Sequence, residues 1–149
     1  GSDMAEAILR RLKAPTALRE RAVFLIRHHM TSLPPERKIL RRRLSQFGRE
    51  AVWQLLALQR ADFGGKGVFG EITNFDEVEA MLQALAAEDA CLQVKDLAVS
   101  GKDLMEIGFP AGPQLGQCLN SLLEQVLDET LPNEKSALLG YARAFLGKF

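Results

Sequence analysis

Hydrophobic residues recur three and four positions apart along almost the whole chain, which is the spacing of an α-helix with one buried face. No segment shows sustained strict alternation of apolar and polar residues, so we expect no substantial sheet. The pattern predicts an all-α fold, an irregular array of about seven or eight helices in two subdomains. The predicted helices cover residues 4–13, 16–29, 35–44, 50–61, 75–87, 101–107, 113–129 and 132–145. Thr16 and Asn74 suit the N-cap positions of the second and fifth helices.

A glycine- and proline-rich segment in the second half of the chain carries the sharpest local signals. Ser100 and Asp103 form an S-x-x-D pair, a helix start like a capping box in which Asp replaces the usual Glu. Gly108 suits the C′ position that ends a helix, and Gly112 followed by Pro113 suits the start of another. Such a turn directs free N–H groups and the positive end of a helix dipole outward, which favours a phosphate. The alternative is a tight corner that serves packing only.

The zero net charge of the chain conceals a strong asymmetry. Residues 1–66 hold 14 Lys and Arg against 6 Asp and Glu, and residues 67–149 hold 5 against 13. The sign changes at the flexible-looking sequence FGGKG, so we predict a basic subdomain at 3–66 and an acidic one at 67–149, after a Gly1-Ser2 cloning scar. A basic half suits a polyanion. The alternative is that its charges are solvated helix faces, some of them paired with the acidic half.

Composition excludes several classes of protein. The hydrophobic fraction is 47% and the charged fraction 26%, as in ordinary soluble globular proteins. No apolar run approaches the roughly 18 residues of a membrane span, and no signal peptide is evident. Cys91 and Cys118 lack CxxC spacing, so we expect buried, reduced thiols and a cytoplasmic location.

No motif in the chain predicts catalysis or metal binding. His28 and His29 are the only histidines, and adjacent side chains on a helix point about 100° apart, so we assign no metal ion to them. No serine or cysteine has the partners of a nucleophile, and the GGKG sequence lacks the spacing of a P-loop. We expect Trp53 and Phe109 to be core residues rather than platforms for bases.

Several segments resemble, in order, the C-terminal region of bacterial CCA-adding tRNA nucleotidyltransferases. They are FLIRHHM at 24–30, RRRLSQFG at 41–48, LLALQRAD at 55–62, DLAVSGKDLMEIGFPAGPQLG at 96–116 and LPNEKSALLGYAR at 131–143. The resemblance extends from about residue 5 to about residue 145. Several segments in the same order are much more specific than any one of them.

The resemblance implies that this region is the body and tail of the enzyme, which hold tRNA while a head domain adds nucleotides to its 3′ end. In the family, a G-S and a D-x-D sequence in the head domain hold Mg²⁺ for phosphoryl transfer. Neither arrangement is present, and the chain starts as if in the middle of a helix, so we expect a piece of a longer enzyme. We expect no catalytic residue and no cofactor in this piece. Mg²⁺ and CTP or ATP are implied for the full-length enzyme.

The resemblance and the charge pattern together suggest how tRNA would be held. Folded RNA is recognised largely through its shape and backbone, which suits helix N-termini and scattered cations. The expected partners are tRNA and the missing N-terminal head domain, with no membrane and no DNA. The predicted RNA-binding residues are Lys38, Arg41, Arg42, Arg43, Arg60, Lys66, Lys102, Gly112, Gln114 and Gly116.

Two other functions remain open from the sequence. The chain is alternatively a helical protein-interaction or dimerisation module without direct RNA contact, in which the acidic half and the apolar helix faces meet a partner protein. A degenerate metal-dependent phosphohydrolase domain is the other alternative, since related chains carry a helical domain of that type.

Overall fold

A computed structural model describes residues 1–66, 74–88 and 90–148, with the side chain of Lys66 left out. Helices form most of this part of the chain, and it contains no strand, which confirms the all-α prediction. One short 3₁₀ helix, Val94–Asp96, precedes the sixth α-helix. The α-helices are α1 (Ser2–Arg11), α2 (Thr16–His28), α3 (Arg37–Phe47), α4 (Arg49–Lys66), α5 (Phe75–Ala87), α6 (Gly101–Glu106), α7 (Pro113–Leu127) and α8 (Lys135–Leu146). Within these residues no helix is long and apolar enough to span a membrane.

The helix ends test the predicted caps. Asn74 accepts a hydrogen bond from the Glu77 amide (3.2 Å), which confirms it as the N-cap of α5. The prediction for Thr16 is wrong, because Pro15 occupies the N-cap position of α2 and Thr16 is the first helical residue. The Thr16 hydroxyl instead accepts a hydrogen bond from the Arg19 guanidinium (3.0 Å).

The fourth helix runs further than predicted. We expected it to end near Ala61, before a flexible Gly-Gly pair, but α4 continues through both glycines to Lys66. Each glycine in a helix interior costs only about 1 kcal/mol relative to alanine, so the pair weakens this helical turn without ending it. The remainder of the predicted flexible stretch lies outside the described residues.

Two hydrophobic cores account for most of the buried side chains. The first is formed by α3, α4 and α5 together with Leu33, and includes Leu40, Leu55 and Leu82. The second is formed by α6, α7, α8 and the segment from Cys91 to Val99. The hydrophobic contacts therefore group α5 with the basic half and divide near residue 90. The division into two domains between residues 66 and 67 stays a prediction.

The first two helices lie outside both buried cores. They pack against each other, but neither contributes a fully buried residue. Met4, Ile8 and Leu12, spaced four residues apart on α1, are 69%, 48% and 70% exposed. Ile8 and Leu12 thus share one helix face, as the periodicity predicts, but that face meets solvent.

Arginines of α3 join the two cores through carboxylates at the ends of α5 and α7. Arg37 donates hydrogen bonds to Glu88 (2.9 Å) and to Glu129 (2.6 Å). Arg41, only 5% exposed, binds the same Glu129 carboxylate (3.1 Å) and the Cys91 carbonyl (3.4 Å). Hydrogen bonds from Arg37 lower the pKa of both Glu88 and Glu129. We call these contacts, with those in the next paragraph, the α3–α7 network.

The next residues of α3 extend this network along α7. Arg42 contacts Glu124 (2.6 Å) and Asp128 (2.7 Å), and both carboxylates raise the pKa of its guanidinium. Lys38 lies 3.7 Å from Asp128. These contacts confirm that charges of the basic half pair with the acidic half.

The first prediction concerns the buried arginine. We expect Glu129→Gln to lower the free energy of unfolding by about 1–3 kcal/mol, because Arg41 would remain buried without its carboxylate partner. Glu6→Gln is the control, since it removes a carboxylate from the exposed pair with Arg10. We expect that substitution to change stability by about 0.5 kcal/mol or less. Urea unfolding followed by circular dichroism measures both, and equal effects would contradict the role given to the α3–α7 network.

The second prediction concerns acid stability. A hydrogen bond from Lys135 (2.8 Å), followed by hydrogen bonds from Ser100, lowers the pKa of Asp103 from 3.8 to about 2. Glu88 and Glu129 are also shifted below 4.5, so the folded protein binds fewer protons than the unfolded chain at acid pH. These groups stabilise the fold fully above about pH 5, and the contribution disappears as the pH falls towards 2.

Urea midpoints measured between about pH 7 and pH 3 should therefore decrease in the acid range. The decrease should be smaller in Glu129→Gln, which lacks one of the titrating groups. A midpoint that stays constant down to pH 3 would show that these carboxylates do not contribute through their charge.

Candidate functional site

The corner between α6 and α7 has the local structure that the sequence predicts. The Ser100 hydroxyl accepts a hydrogen bond from the Asp103 amide (3.4 Å), and the Asp103 carboxylate accepts one from the Ser100 amide (2.7 Å). This reciprocal pair is the predicted capping box, and it fixes the start of α6. Lys135, at the start of α8, contacts the same Asp103 and ties α8 to this corner.

Glycines and a buried aromatic ring fix the turn that follows α6. Gly108 has φ +115° and directly follows the helix C-cap, as predicted for C′. Phe109 is 3% exposed and its ring stacks on Phe145 with centroids 6.4 Å apart, which confirms it as a core residue. Gly112 (φ +135°) then occupies the N-cap of α7, and Pro113 is the first helical residue. Positive φ values strain other residues, so the turn depends on glycine at both positions.

The N-terminus of α7 presents backbone without a covering side chain. Gly112 provides no side-chain cap, Pro113 has no N–H, and the Leu115 amide donates to the Gly112 carbonyl (3.1 Å). The amides of Gly112 and Gln114 therefore remain without an acceptor among the described residues. A Cβ atom added at Gly112 or at Gly116 would have no atom within 4 Å, so open space adjoins both residues. Gln114 between them is half-buried. This surface therefore combines accessible amides with the positive end of a helix dipole.

The N-terminus of α6 lies against the same place. A Cβ atom added at Gly101 would come within 3.1 Å of Leu115 Cδ2, so the first turns of α6 and α7 are adjacent. Lys102 follows Gly101, is exposed, and forms no ion pair or side-chain hydrogen bond with another described residue. We call this surface, made of Lys102 and residues 112–116, the α6–α7 corner. It brings together four of the ten predicted RNA-binding residues.

The other predicted residues lie elsewhere and most have protein partners. Lys38, Arg41 and Arg42 belong to the α3–α7 network. Arg43 donates to the Ser32 carbonyl (3.3 Å) and to the Gln46 side chain (3.4 Å). The role of these residues in RNA binding stays a prediction.

Two further predicted RNA-binding residues, Arg60 and Lys66, lie on α4. Arg60 lies between Asp76 (3.0 Å) and Glu79 (3.2 Å) and over the Phe75 ring. Its charge is therefore shared with the start of α5. The side chain of Lys66 lies outside the described residues.

Sequence reasoning missed Arg37, which holds two carboxylates of the α3–α7 network. The signal was present: Arg37 and Arg41 are four residues apart and share a helix face, as do Lys38 and Arg42. A facing set of carboxylates at 124, 128 and 129 has the same helical spacing. Only the tertiary structure shows that these two faces meet.

His28 packs between aromatic rings, whereas His29 is exposed. The His28 ring lies between Phe24 (4.6 Å between centroids) and Phe47 (4.8 Å), and His29 Nδ1 lies 2.6 Å from the Ile26 carbonyl oxygen. In the residues that the structure describes, no three His, Cys, Asp or Glu side chains group as metal ligands would.

Both cysteines are buried, as predicted, and burial raises the pKa of the Cys91 and Cys118 thiols. A raised pKa keeps a thiol protonated at neutral pH and therefore weakly nucleophilic. Trp53 is half-buried against the first core. Neither the thiols nor this ring forms a candidate reaction centre.

Comparison with known proteins gives a consistent result along the chain. Residues 2–142 match the family described as tRNA nucleotidyltransferase domain 2. The chain is 34% identical over 131 residues to the A-adding tRNA nucleotidyltransferase of Deinococcus radiodurans, covering 83% of this chain and 29% of that protein. It is 31% identical over 149 residues to the CC-adding tRNA nucleotidyltransferase of Thermus thermophilus, covering 98% of this chain and 31% of that protein.

A shorter stretch is more strongly similar to another relative. Over 45 residues, 30% of this chain and 11% of the relative, the chain is 56% identical to the CCA-adding enzyme of Levilactobacillus brevis. No solved structure matches the chain significantly. The chain spans less than a third of the length of each of these relatives. The chain belongs to the tRNA nucleotidyltransferase family.

Proposed function

We propose that this chain is a tRNA-binding region that holds and positions tRNA for nucleotide addition at its 3′ end by a catalytic head domain elsewhere in the full protein. On this proposal, Mg²⁺ and the nucleoside triphosphates bind in the head domain, and the protein acts in the cytoplasm. The named relatives are tRNA nucleotidyltransferases. The part described here contributes binding surface rather than reacting groups.

The α6–α7 corner is the observation that carries this proposal. The N-terminus of α7 has no side-chain cap, and the exposed Lys102 beside it has no partner among the described residues, whereas the capping box closes the start of α6. Phosphates bind such amides because the dipole and the N–H groups act together. A backbone-reading contact of this kind suits an RNA substrate recognised by shape rather than by sequence.

The α3–α7 network changes the roles of several predicted residues. Lys38, Arg41 and Arg42 already contact carboxylates, so a phosphate at these side chains would compete with Asp128 and Glu129. We therefore propose that the main role of these three side chains is to hold the two hydrophobic cores together. Long-range attraction to RNA would then come from cations of the basic half that lack an ion pair with any described residue. These are Arg11, Lys13, Arg19, Arg27, Arg43 and Arg49.

A tRNA titration at several salt concentrations tests the proposal. Between about 50 and 300 mM salt, affinity should fall steadily, with a slope set by the number of phosphates contacted. Lys102→Gln should reduce that slope by about 1, because one phosphate contact is lost. Lys148→Gln removes the same charge near the end of α8 and should have a smaller effect. An affinity that does not change with salt would overturn the proposal.

A glycine substitution tests the α6–α7 corner more directly. Gly116→Ala should raise stability by roughly 0.5–1 kcal/mol, because Gly116 is helical and its Cβ position is open. It should nevertheless weaken tRNA binding by about fivefold, if a phosphate approaches the α7 amides closely. Gly140→Ala in α8 is the matched control, since that position is also helical and open.

Thermal unfolding and a filter-binding assay with tRNA separate the two effects. Both alanine variants should be at least as stable as the parent protein, and only Gly116→Ala should bind tRNA more weakly. Equal affinities for the two variants would remove the close backbone contact from the proposal.

The protein-interaction alternative has one structural feature in its favour. The exposed stripe of Met4, Ile8 and Leu12 is an apolar helix face of the type that partner proteins cover. Light scattering and an RNA-free pull-down distinguish the alternatives. A monodisperse monomer that retains no partner and binds tRNA supports the RNA-binding proposal.

A further inference from the structure

A cavity of about 370 Å³ lies between α1 and α2, away from the α6–α7 corner. Arg10 of α1 and Arg19 and Arg27 of α2 all contribute to its lining, together with Thr16. Three guanidinium groups at one cavity concentrate positive charge on a helical pair whose contact with the first core is made by the partly buried Phe24 and Leu25. None of the ten predicted RNA-binding residues lines this cavity.

One of these arginines has an unmet hydrogen-bonding requirement. Arg19 is held by its terminal nitrogen, which donates to the Thr16 hydroxyl (3.0 Å). Its Nε atom is shielded from solvent and has no acceptor among the described residues. A buried N–H without an acceptor is unfavourable, so a rotation of the Arg19 side chain that exposes Nε to an anion in the cavity would be favoured.

The start of α2 adds donors beside the same cavity. Pro15 is the N-cap and has no side-chain cap, and the Arg19 amide is the first to bond within the helix, to the Pro15 carbonyl (3.1 Å). The amides of residues 16–18 therefore precede the first intrahelical hydrogen bond. Thr16, in this first turn, lines the cavity. The helix terminus and the arginines thus favour the same sign of charge.

The charges around the cavity limit which anion fits. Glu6 forms a salt bridge with Arg10 (3.0 Å), so those two charges offset each other. Arg19 and Arg27 form no ion pair with a described residue, and Glu20 is the one remaining carboxylate in the lining. The balance is therefore close to a single positive charge. It matches the single negative charge of a phosphodiester better than the double charge of a phosphate monoester.

We infer that this cavity receives a backbone phosphodiester of RNA, with Arg19 and Arg27 as the binding residues. The inference rests on the proposed function and adds a second contact on the α1–α2 side of the molecule. Arg19 offers Nε and Arg27 an unpaired guanidinium, and both groups bind phosphate oxygens in a planar, directional way. Glu20 opposes the bound phosphate and limits its affinity.

Substitution of the two arginines tests the site. Arg19→Gln and Arg27→Gln should each weaken tRNA binding by about tenfold at low salt and reduce the salt slope by about 1. Arg11→Gln is the control, because Arg11 is exposed on the neighbouring helix and does not line the cavity. It should weaken binding by about twofold at most, through long-range charge alone. Arg19→Lys keeps the charge but loses Nε, and it should bind nearly as weakly as Arg19→Gln.

A gain of affinity provides a test that misfolding cannot imitate. Glu20→Gln removes the opposing carboxylate and should strengthen tRNA binding about threefold. Glu36→Gln removes the same charge at the start of α3, outside the cavity, and should have a much smaller effect. Equal effects of the two glutamine variants would assign the gain to overall charge and overturn the site.

A small probe separates the site from the proposed function. In NMR spectra, dimethyl phosphate should shift the Nε–H resonances of Arg19 and Arg27 and leave that of Arg11 unchanged. A stronger response to a nucleoside triphosphate than to dimethyl phosphate would overturn the phosphodiester assignment. If the parent protein binds tRNA but Arg19→Gln and Arg27→Gln behave like Arg11→Gln, the site fails and the proposed function stands. If dimethyl phosphate shifts both resonances but no tRNA binds, the cavity is a phosphodiester site and the proposed function fails.

Discussion

The burial of the Arg41 guanidinium is the constraint on which the arrangement of the two cores depends. A charge that is 5% exposed is stable only when its partners are in place, and those partners come from the far end of α7 and from the link after α5. Hydrophobic contacts build each core, whereas directional hydrogen bonds between charged groups join α3 to the ends of α5 and α7. The α3–α7 network therefore helps to fix how the cores are oriented. Any surface that spans both halves, including one that holds an extended RNA, depends on it.

The network also shows how the opposite charges of the two halves of the chain come into contact. Arginines of α3 form ion pairs within the protein with Glu124, Asp128 and Glu129. The number of cationic residues in a sequence therefore overstates the positive charge that is available to bind an anionic ligand. The proposed contacts accordingly use groups that form no ion pair with a described residue, namely Lys102, the amides at the start of α7, and Arg19 and Arg27 of α2.

The local features were predictable from the sequence because they depend on neighbouring residues. The capping box at Ser100, the Asn74 cap and the glycine turn need only a few residues and standard backbone geometry. The α3–α7 network was not predictable in detail, because its partners are separated by up to 92 residues and periodicity does not say which charged faces meet. The extension of α4 was missed because glycine lowers helix stability without forbidding a helix. The cavity beside Arg19 arises from the packing of two helices, which no single segment encodes.

The α1–α2 pair contains no fully buried residue and contacts the first core through the partly buried Phe24 and Leu25. Such a segment opens locally at a low free-energy cost, independently of global unfolding. A ligand bound between α1 and α2 would have to order the pair as it binds, and in return would protect it from opening. Ligand binding and local opening of the first 28 residues would then be coupled, so that a tighter ligand would make this segment more ordered. The order of the α1–α2 pair would therefore show how much of the cavity is occupied by ligand.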